Sequence, residues 1–388
     1  MATTINSGLV DTADPLANEL KVDMREKIAM LDPDTSQFTT MLMKLPQERA
    51  SSFKVEWMND ELIPQHSALA ASAASADTNI TVTTSEGSYF KAGDILRFAD
   101  TGEPVRVTGV AASSLTVVRA VDGSTAASAQ TGTKIIRVGG SNEQGATLPT
   151  ALITQRATNY NYTQIVRNSY RFTETAIATQ WYGGPLVAKE RRKKAVEHKW
   201  EIENMLFFGA RSYSAGTNNP RHTAGGLLHY VTNESDTDTL TEVEFQDFLR
   251  HGLEYGSKRK VLFASPLVAQ VLSSFLEDRI QPASTRPNPN IWGVKVDSVI
   301  SGVVGQEIPV IVKREWKRYG ESAGQYGTYA CLVDLDYVQL APLRDTVLKP
   351  NRQANDADEQ AAEFITELSL KVERPEVHRW LVDVTGAA

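Results

Sequence analysis

Cysteine is almost missing from this chain: Cys331 is the only one. One thiol cannot close an internal disulfide, so the fold does not depend on an oxidising compartment. Cys331 sits in the apolar run TYACLVDL, which marks a buried, inert side chain; a reactive thiolate needs exposure and nearby positive charge. Long apolar runs are missing too, and none approaches the ~20 residues of a membrane-spanning helix. The opening stretch MATTINSGLVDTADPLANEL is polar and acidic, without the charged-then-apolar order of a secretory leader. Together these absences predict a protein made and folded in cytoplasm, with no membrane contact.

An excess of positive charge is also lacking. A formal net charge of −7 argues against gripping nucleic acid over the whole surface, which takes a basic domain or stripe. Motifs of chemistry are equally sparse. The histidines His66, His198, His222, His229, His251 and His378 include no pair at the spacing of a helical zinc site. In GGPLVAKERRKK glycines precede a helix and a lysine, but the phosphate-loop spacing is wrong and Pro185 removes a backbone donor. Asp334 and Asp336 in LVDLD could hold a divalent ion, yet carboxylates at i and i+2 of a strand usually line a wet face. No G-x-S-x-G elbow is present. A glycosidase-like carboxylate pair stays open, because its members need not be near in sequence. No catalytic residue, metal site or cofactor is assigned.

What is present is size and order of parts. A chain of 388 residues suits two or three domains, and 41% hydrophobic with 22% charged residues is ordinary for a folded protein. Near the N-terminus, LKVDMREKIAML and TSQFTTMLMKLP each predict a short helix. In the second, Phe38, Met41, Leu42 and Leu45 recur at i, i+3, i+4 and i+7, Thr35 or Ser36 can cap, and Pro46 follows the stop. Two such helices cannot bury Met24, Ile28, Met30 and Leu31 between themselves. They read as an arm that packs on something else.

SSFKVEWMNDELIP is a strand with Phe53, Val55 and Trp57 on one face. An Ala/Ser linker, SALAASAASADTN, then leads into NITVTT, GDILRFA, EPVRVTGV, SLTVVRA and TKIIRV. These short Val/Ile/Thr runs between turns predict a small all-β barrel or sandwich over residues 72 to 140. After a second linker, RATNYNYTQIVRNSYRFT forms another long strand. The two strands are expected to pair as long antiparallel legs, with the small domain at the tip of their hairpin. A ribbon of this kind has exposed edges and is rarely stable alone in water, so partners are implied.

Next comes LVAKERRKKAVEHKWEIENMLFFGA, about 24 helical residues or ~36 Å. Ala188, Ala195, Ile202 and Leu206 form a narrow apolar stripe, widened by Val196, Trp200 and Phe207, which suits a helix laid across one surface. Lys189, Arg191, Arg192, Lys193, Lys194 and Lys199 crowd its front. The plain reading is a solvated face with Glu190 and Lys194 as an i, i+4 pair. A DNA reading is opposed by Glu197, Glu201 and Glu203 on the same helix. A third reading has the cations, which oppose the helix dipole, balanced by carboxylates of a neighbouring copy meeting it head to tail. From residue 240 the pattern is α/β. TEVEFQDFLRHGLEYG opens with a Thr241–Glu244 capping box, KVLFA is a strand, and SPLVAQVLSSFLED is a Ser-capped helix. The loop QPASTRPNPNIWG precedes strands GVKVDSVI, IPVIVKR, TYACLVDL and YVQLAPLR. At the end, FITELSLKV and HRWLVDV are expected to form a hairpin.

This order of parts resembles the Hong Kong 97-type major capsid (major head) proteins of tailed phages, a fold shared with herpesviruses, of the kind with a β domain inserted in the extended loop. The residues that carry the resemblance are LDPDTSQFTTMLMKLPQERASSFKVEWMNDEL, TVTTSEGSYFKAGDILRF with SLTVVRAVDGST, and YTQIVRNSYRFTETAIATQ before the long helix. The resemblance implies an α+β fold. Its parts would be an N-terminal arm (1–50), an extended loop (51–71 and 141–172), the insertion (72–140), a peripheral domain (173–239 and 343–388) with spine helix 185–208, and an axial domain (240–342). It implies self-assembly, as hexamers and pentamers, into an icosahedral shell around double-stranded DNA that is enclosed but not read by sequence. Catalysis is not expected. The chain would be made in the cytoplasm of a bacterial host and end in the virion, with portal, scaffolding and decoration proteins as further partners. Candidate intersubunit contacts are Phe38, Met41, Leu42, Phe53, Trp57, Arg191, Arg192, Lys194, Glu197 and Glu201.

Two features depart from some relatives. No long helical segment precedes the arm, so a separate scaffold or none is expected. The lysine–asparagine cross-link of certain relatives has no place, because the inserted domain occupies the loop tip. A virion adhesin that recognises a glycan through the β insertion is the alternative, and an enzyme with an appended β domain is a third reading that lacks a site.

Overall fold

In the computed structural model, residues 36–145, 147–148, 150–181, 185–216, 219–277, 298–300 and 307–387 are described. The first predicted helix with Met24, Ile28, Met30 and Leu31 lies outside them, as do Thr35, Gly183, Gly184 and the loop QPASTRPNPNIWG. The chain divides into two compact units, Met1–Trp57 with Asn159–Ala388, and Met58–Thr158.

The described chain begins with α1 (Gln37–Lys44), whose Phe38 and Leu42, one turn apart, are buried. Pro46 blocks continuation, and the Leu45 amide closes back on Leu42 O at 3.2 Å. Strand β1 (Lys54–Asn59) follows.

The smaller unit contains β2 (His66–Ala68), β3 (Asn79–Thr81), β4 (Asp94–Phe98), β5 (Pro104–Ala111), β6 (Ser114–Val118) and β7 (Lys134–Gly140). They form a sheet in the order β2-β7-β4-β5-β6-β3. Its two edges meet just past β2 and β3, where Ala70 N–H bonds Thr81 O and Thr83 N–H bonds Ala68 O, each at 3.0 Å. The sheet thereby closes into a barrel, which leaves it no free edge. Alternation sends Leu96 and Phe98, Val105 and Val107, and Leu115 and Val117 inward onto Phe90, Ile80 and Ile135. The barrel takes in His66–Ala68, ahead of the expected start at residue 72; a three-residue strand is too short to show a period.

An ion pair is buried in its wall. Glu103 accepts from Arg119 Nε (2.8 Å) and Nη2 (2.7 Å), and from the amides of Ala120 (3.1 Å) and Ala127 (3.0 Å). The Arg119 hydrogen bonds hold the Glu103 carboxyl below the usual range despite its burial.

The chain returns through β8 (Ala157–Tyr162), which pairs with β1 as a two-stranded ribbon. β9 (Gln164–Thr173) leaves that ribbon. The legs are therefore shorter than the sequence pattern suggested. Thr163 is the point of transfer: its amide bonds Phe53 O at 2.8 Å, while its hydroxyl donates to Glu367 Oε1 at 3.0 Å. After α2 (Glu174–Ala178) comes the long helix α3 (Leu186–Phe208), then the hairpin β10 (Ser212–Ser214) with β11 (Arg221–Thr223), and α4 (Leu227–Tyr230).

The remaining elements are β12 (Glu234–Asp236), β13 (Thr239–Leu240), α5 (Glu242–Gly252), β14 (Lys260–Ala264), α6 (Pro266–Glu277), β15 (Ser298–Ile300), β16 (Glu307–Val312), β17 (Ala330–Asp334), β18 (Val338–Lys349), β19 (Glu359–Val372), β20 (Arg379–Val382) and β21 (Gly386–Ala387). Both helix starts are set locally. Thr241 and Glu244 form the capping box, and Ser265 Oγ accepts from Val268 N–H at 3.3 Å.

A six-stranded mixed sheet, β12-β20-β17-β14-β16-β15, carries the larger unit. Its strands are apolar on both faces. Val261 and Phe263, Cys331 and Val333, and Trp380 and Val382 point to a core shared with α1 and the end of α3. Leu262 and Ala264, Ala330 and Leu332, and Leu381 point the other way, onto Phe245, Phe248 and Leu249 of α5 and Val268, Val271 and Leu272 of α6. A three-stranded sheet, β18-β19-β9, stands beside it.

The expected C-terminal hairpin does not form. β19 pairs with β18 and β9, whereas β20 enters the six-stranded sheet between β12 and β17. Trp380, Leu381 and Val382 are buried on both faces, which a hairpin edge could not provide. β20, near the end of the segment 343–388, thus lies in the six-stranded sheet of the α/β part, while its Trp380 and Val382 share a core with the end of α3.

Asp334 does not line a wet face; it is fully buried beside Lys260 and His378. It accepts from Ser257 N–H (2.6 Å) and Oγ (2.7 Å). Lys260 Nζ donates to the carbonyls of Gly252, Tyr255 and Val377 at 2.7, 2.7 and 2.8 Å. His378 Nδ1 accepts from the Asp334 amide at 3.1 Å. Burial pushes Lys260 down to about 8 despite the attraction of Asp334. Burial, reinforced by the Lys260 charge, pushes His378 down to about 3.

Two outcomes are expected. Arg119→Ala strands the buried Glu103 carboxylate and lowers barrel stability by about 3 kcal/mol; calorimetry should show one transition fall while that of the larger unit stays. Unfolded, His378 takes up a proton near its ordinary value of 6.5, whereas folded it refuses one down to about 3. The unfolded state therefore binds more protons between those values, and stability falls as pH drops through that window, by up to roughly 4 kcal/mol. Urea melts at pH 7 and pH 4 should show this loss, and His378→Asn should flatten it.

Candidate functional site

Helix α3 is the natural frame for a functional surface, and its two halves differ. At the C-terminal end Ile202, Met205, Leu206 and Phe207 are buried, while Ala188 near the start is exposed. The apolar stripe expected along the whole helix is therefore confined to its second half. In the middle a polar chain ties the helix to the three-stranded sheet. Thr346 and Thr366 hydroxyls lie 2.7 Å apart, Thr366 is 2.7 Å from His198 Nε2, and His198 Nδ1 meets Asn168 Oδ1 at 2.5 Å. Asn168 Nδ2 then donates to Glu201 Oε2 at 2.9 Å. Burial pushes the His198 imidazole down, against the pull of Glu201, which favours its neutral form in this chain.

One turn further on, Glu203 organises the arm. α1 has no side-chain cap of its own, and its free amides point at this carboxylate. Phe38 N–H donates to Oε1 at 2.8 Å and Thr39 N–H to Oε2 at 2.7 Å, with the Thr39 hydroxyl also donating to Oε2. Lys313 Nζ balances the charge at 2.6 Å from Glu203 Oε1 and 2.9 Å from Glu315 Oε1. All three ionic side chains are buried, so each needs the others. Phe38 seals the cluster, its ring 4.7 Å from Phe207 and 5.1 Å from Phe263.

This geometry corrects several expectations. Phe38 and Leu42 are buried in the core of their own chain, and Met41 is half-buried against the same core. Trp57 is also buried, packed 5.8 Å from Tyr230. Aromatic residues at helical or strand spacing fill a core as readily as an interface, and here the core takes them. Phe53 differs: it is 44% exposed and stacks with Tyr162 and Tyr213 in a surface platform. On α3, Lys194 pairs with Glu197 at 2.5 Å, not with Glu190. Glu201 is engaged by Asn168, and Arg191 and Arg192 are exposed without an ion pair among the described residues.

The clustering of Glu203 with Lys313 and Glu315 is not legible in the sequence. Their one local signal is a carboxylate inside the apolar end of α3. A second unpredicted feature is the charged face of β19. Glu359, Glu363 and Glu367 recur every fourth residue there and accept, respectively, from Arg171, from Arg167 and Arg352, and from Arg344. The Arg167 hydrogen bond, with Arg352, holds the Glu363 carboxyl below its ordinary range. Among the described residues no group of three or more His, Cys, Asp or Glu could hold a metal ion, and no helix is long and apolar enough to cross a membrane.

Glu203→Ala should free α1 and leave Lys313 without that carboxylate, at a cost of about 3–5 kcal/mol. Limited proteolysis should then cut within residues 36–50 well before the rest of the chain; a protected segment would contradict the capping role.

Comparison with known proteins gives this architecture its place. The model of the SU10 major capsid protein family matches residues 2–385. Over 167 residues the chain is 34% identical to the major capsid protein of Pseudomonas phage PaMx41, covering 42% of this chain and 40% of that relative. The match thus spans less than half the length of that curated protein. The fold is similar to the Cyanophage A-1(L) capsid asymmetric unit, with TM-score 0.56 and 11% identity over 97% of this chain and 100% of that one. It is also similar to the capsid of Myoviridae Phage XM1, with TM-score 0.51 and 9% identity over 98% and 100%. Identities this low carry the fold alone, which is the Hong Kong 97-type fold. With a family match running almost end to end, the chain belongs to the SU10 major capsid protein family.

Proposed function

We propose that this chain builds the head shell of a tailed bacteriophage. Copies assemble as hexamers and pentamers into an icosahedral container around double-stranded DNA, which is enclosed and not read by sequence. The observation that carries the reading is the family match over residues 2–385. The role is structural, without catalysis. Synthesis and assembly take place in the host cytoplasm, and portal, scaffolding and decoration proteins complete the particle.

Within that reading the parts divide the work. Residues 1–50 are the arm, β1 with β8 the extended ribbon, and the barrel the insertion. α3 and the β18-β19-β9 sheet form the peripheral domain, and the six-stranded sheet with α5 and α6 the axial one. Of the contacts suggested by the sequence, Met41, Phe53, Arg191, Arg192, Lys194, Glu197 and Glu201 keep free surface for a neighbour. A net charge of −7 suits a container that must not grip its densely charged content.

Negative-stain microscopy of the expressed protein, alone and with the phage's own scaffold, should show closed shells or hexamer and pentamer rings. A discrete glycan-binding trimer would support the adhesin alternative, and turnover by a monomer an enzyme; either result sinks the proposal.

A further inference from the structure

The front of α3 carries positive charge that no carboxylate among the described residues pairs. Lys189, Arg192 and Lys199 are exposed and form no ion pair among the described residues. At 100° per residue they fall on one side of the helix, spread over about 15 Å at 1.5 Å per residue. At the end of the first turn Lys189 is opposed by the helix dipole, so an external anion there would relieve it. The acidic half of α3 offers a single exposed carboxylate, Glu201, rather than a row of them. Glu197 is held by Lys194, Glu201 by Asn168, and Glu203 is buried under α1. The carboxylates must come from another part of the surface.

A matching row exists on β12. This strand is an edge of the six-stranded sheet, bonded to β20 on one side and to no strand on the other among the described residues. Glu234 and Asp236 on the strand, and Asp238 just past it, are exposed at every second position. The Glu234 and Asp236 carboxylates therefore line one side of the strand, and Asp238 follows at a bend, the three positions spanning about 13 Å at 3.3 Å per residue. None forms an ion pair among the described residues. The nearby Arg379 guanidinium is occupied instead by the Ser235 hydroxyl (2.9 Å) and the Glu234 carbonyl (3.4 Å). The field is felt locally: beyond burial, Asp383, Glu234 and Asp236 push the Tyr329 phenol up.

We propose that the cation row Lys189–Arg192–Lys199 of one copy docks on the carboxylate row Glu234–Asp236–Asp238 of a second copy. Sign, length and exposure agree, and neither row has an ion-pair partner among the described residues. The two patches are different surfaces, so the contact is heterologous and leaves one of each kind free on every pair. Such a contact propagates until a rotation closes it into a ring. The contact deepens the head-shell reading, which supplies the reason for copies to meet, and it weakens with added salt because both rows are exposed.

Cross-linking between two single-site variants tests it. Lys193→Cys and Thr232→Cys place exposed thiols beside the rows without removing any row member, and the native Cys331 is buried and silent. Mixed and treated with a short bismaleimide, the two variants should give mixed dimers in at least about tenfold excess over like-with-like dimers. Adding Arg192→Glu to the first chain should cut that yield about tenfold, and adding Asp236→Arg to the second should restore it. Equal yields of all dimers, or a yield indifferent to charge reversal, would overturn the contact. So would duplex DNA retained by the parent chain and lost with Arg192→Glu while cross-linking is unchanged, which would assign the row to DNA. None of these readouts needs a closed shell; particle formation by the unmodified chain decides the head-shell reading separately.

Discussion

A carboxylate buried under a helix start governs the larger unit. Glu203 offers negative charge where α1 has free amides and partial positive charge, and Lys313 supplies the counter-ion from the far side. Each member would be costly alone in an apolar interior, and together they satisfy one another. The consequence reaches beyond the three residues. With α1 fixed at its N-terminus, Phe38 and Leu42 fill the gap between the end of α3 and the face of β14, so the core on that side of the sheet is complete only when the arm is seated.

The sheet behind this cluster fixes the register of the rest. Its strands bury alternate residues on opposite faces, so a slip of one residue would exchange two different cores. α5 and α6 cover one side with short, well-capped helices. α3 and α1 cover the other, where aromatic side chains carry the packing: Phe207, Trp316 and Trp380 meet edge-on or tilted at 5.1 to 6.2 Å. The three-stranded sheet hangs on α3 through the polar chain at His198 and on the ribbon through Thr163.

How far the sequence revealed this depended on the distance over which each interaction acts. The capping box at Thr241 and Glu244 spans three residues and could be read directly. So could the barrel strands and α3, whose patterns are local. Strand partners could not be read, because alternation identifies a strand without naming its neighbour. HRWLVDV alternates as FITELSLKV does, yet it enters a different sheet. Apolar spacing at Phe38, Leu42 and Trp57 does not separate core from interface, since an apolar face looks the same whether its own chain or another covers it. Glu203 was invisible as a cap because its partners lie 165 and 164 residues upstream and 110 downstream.

The closure of the barrel has a consequence for how such an insertion can change over time. Its backbone amides and carbonyls are spent on one another around the whole circumference, so it offers no strand for a foreign chain to extend. Whatever it touches, it must touch through side chains on its outer wall. Those side chains can be replaced one by one without disturbing the inner row of Leu96, Phe98, Val107 and Leu115, which makes the barrel a fixed pedestal under a rewritable surface.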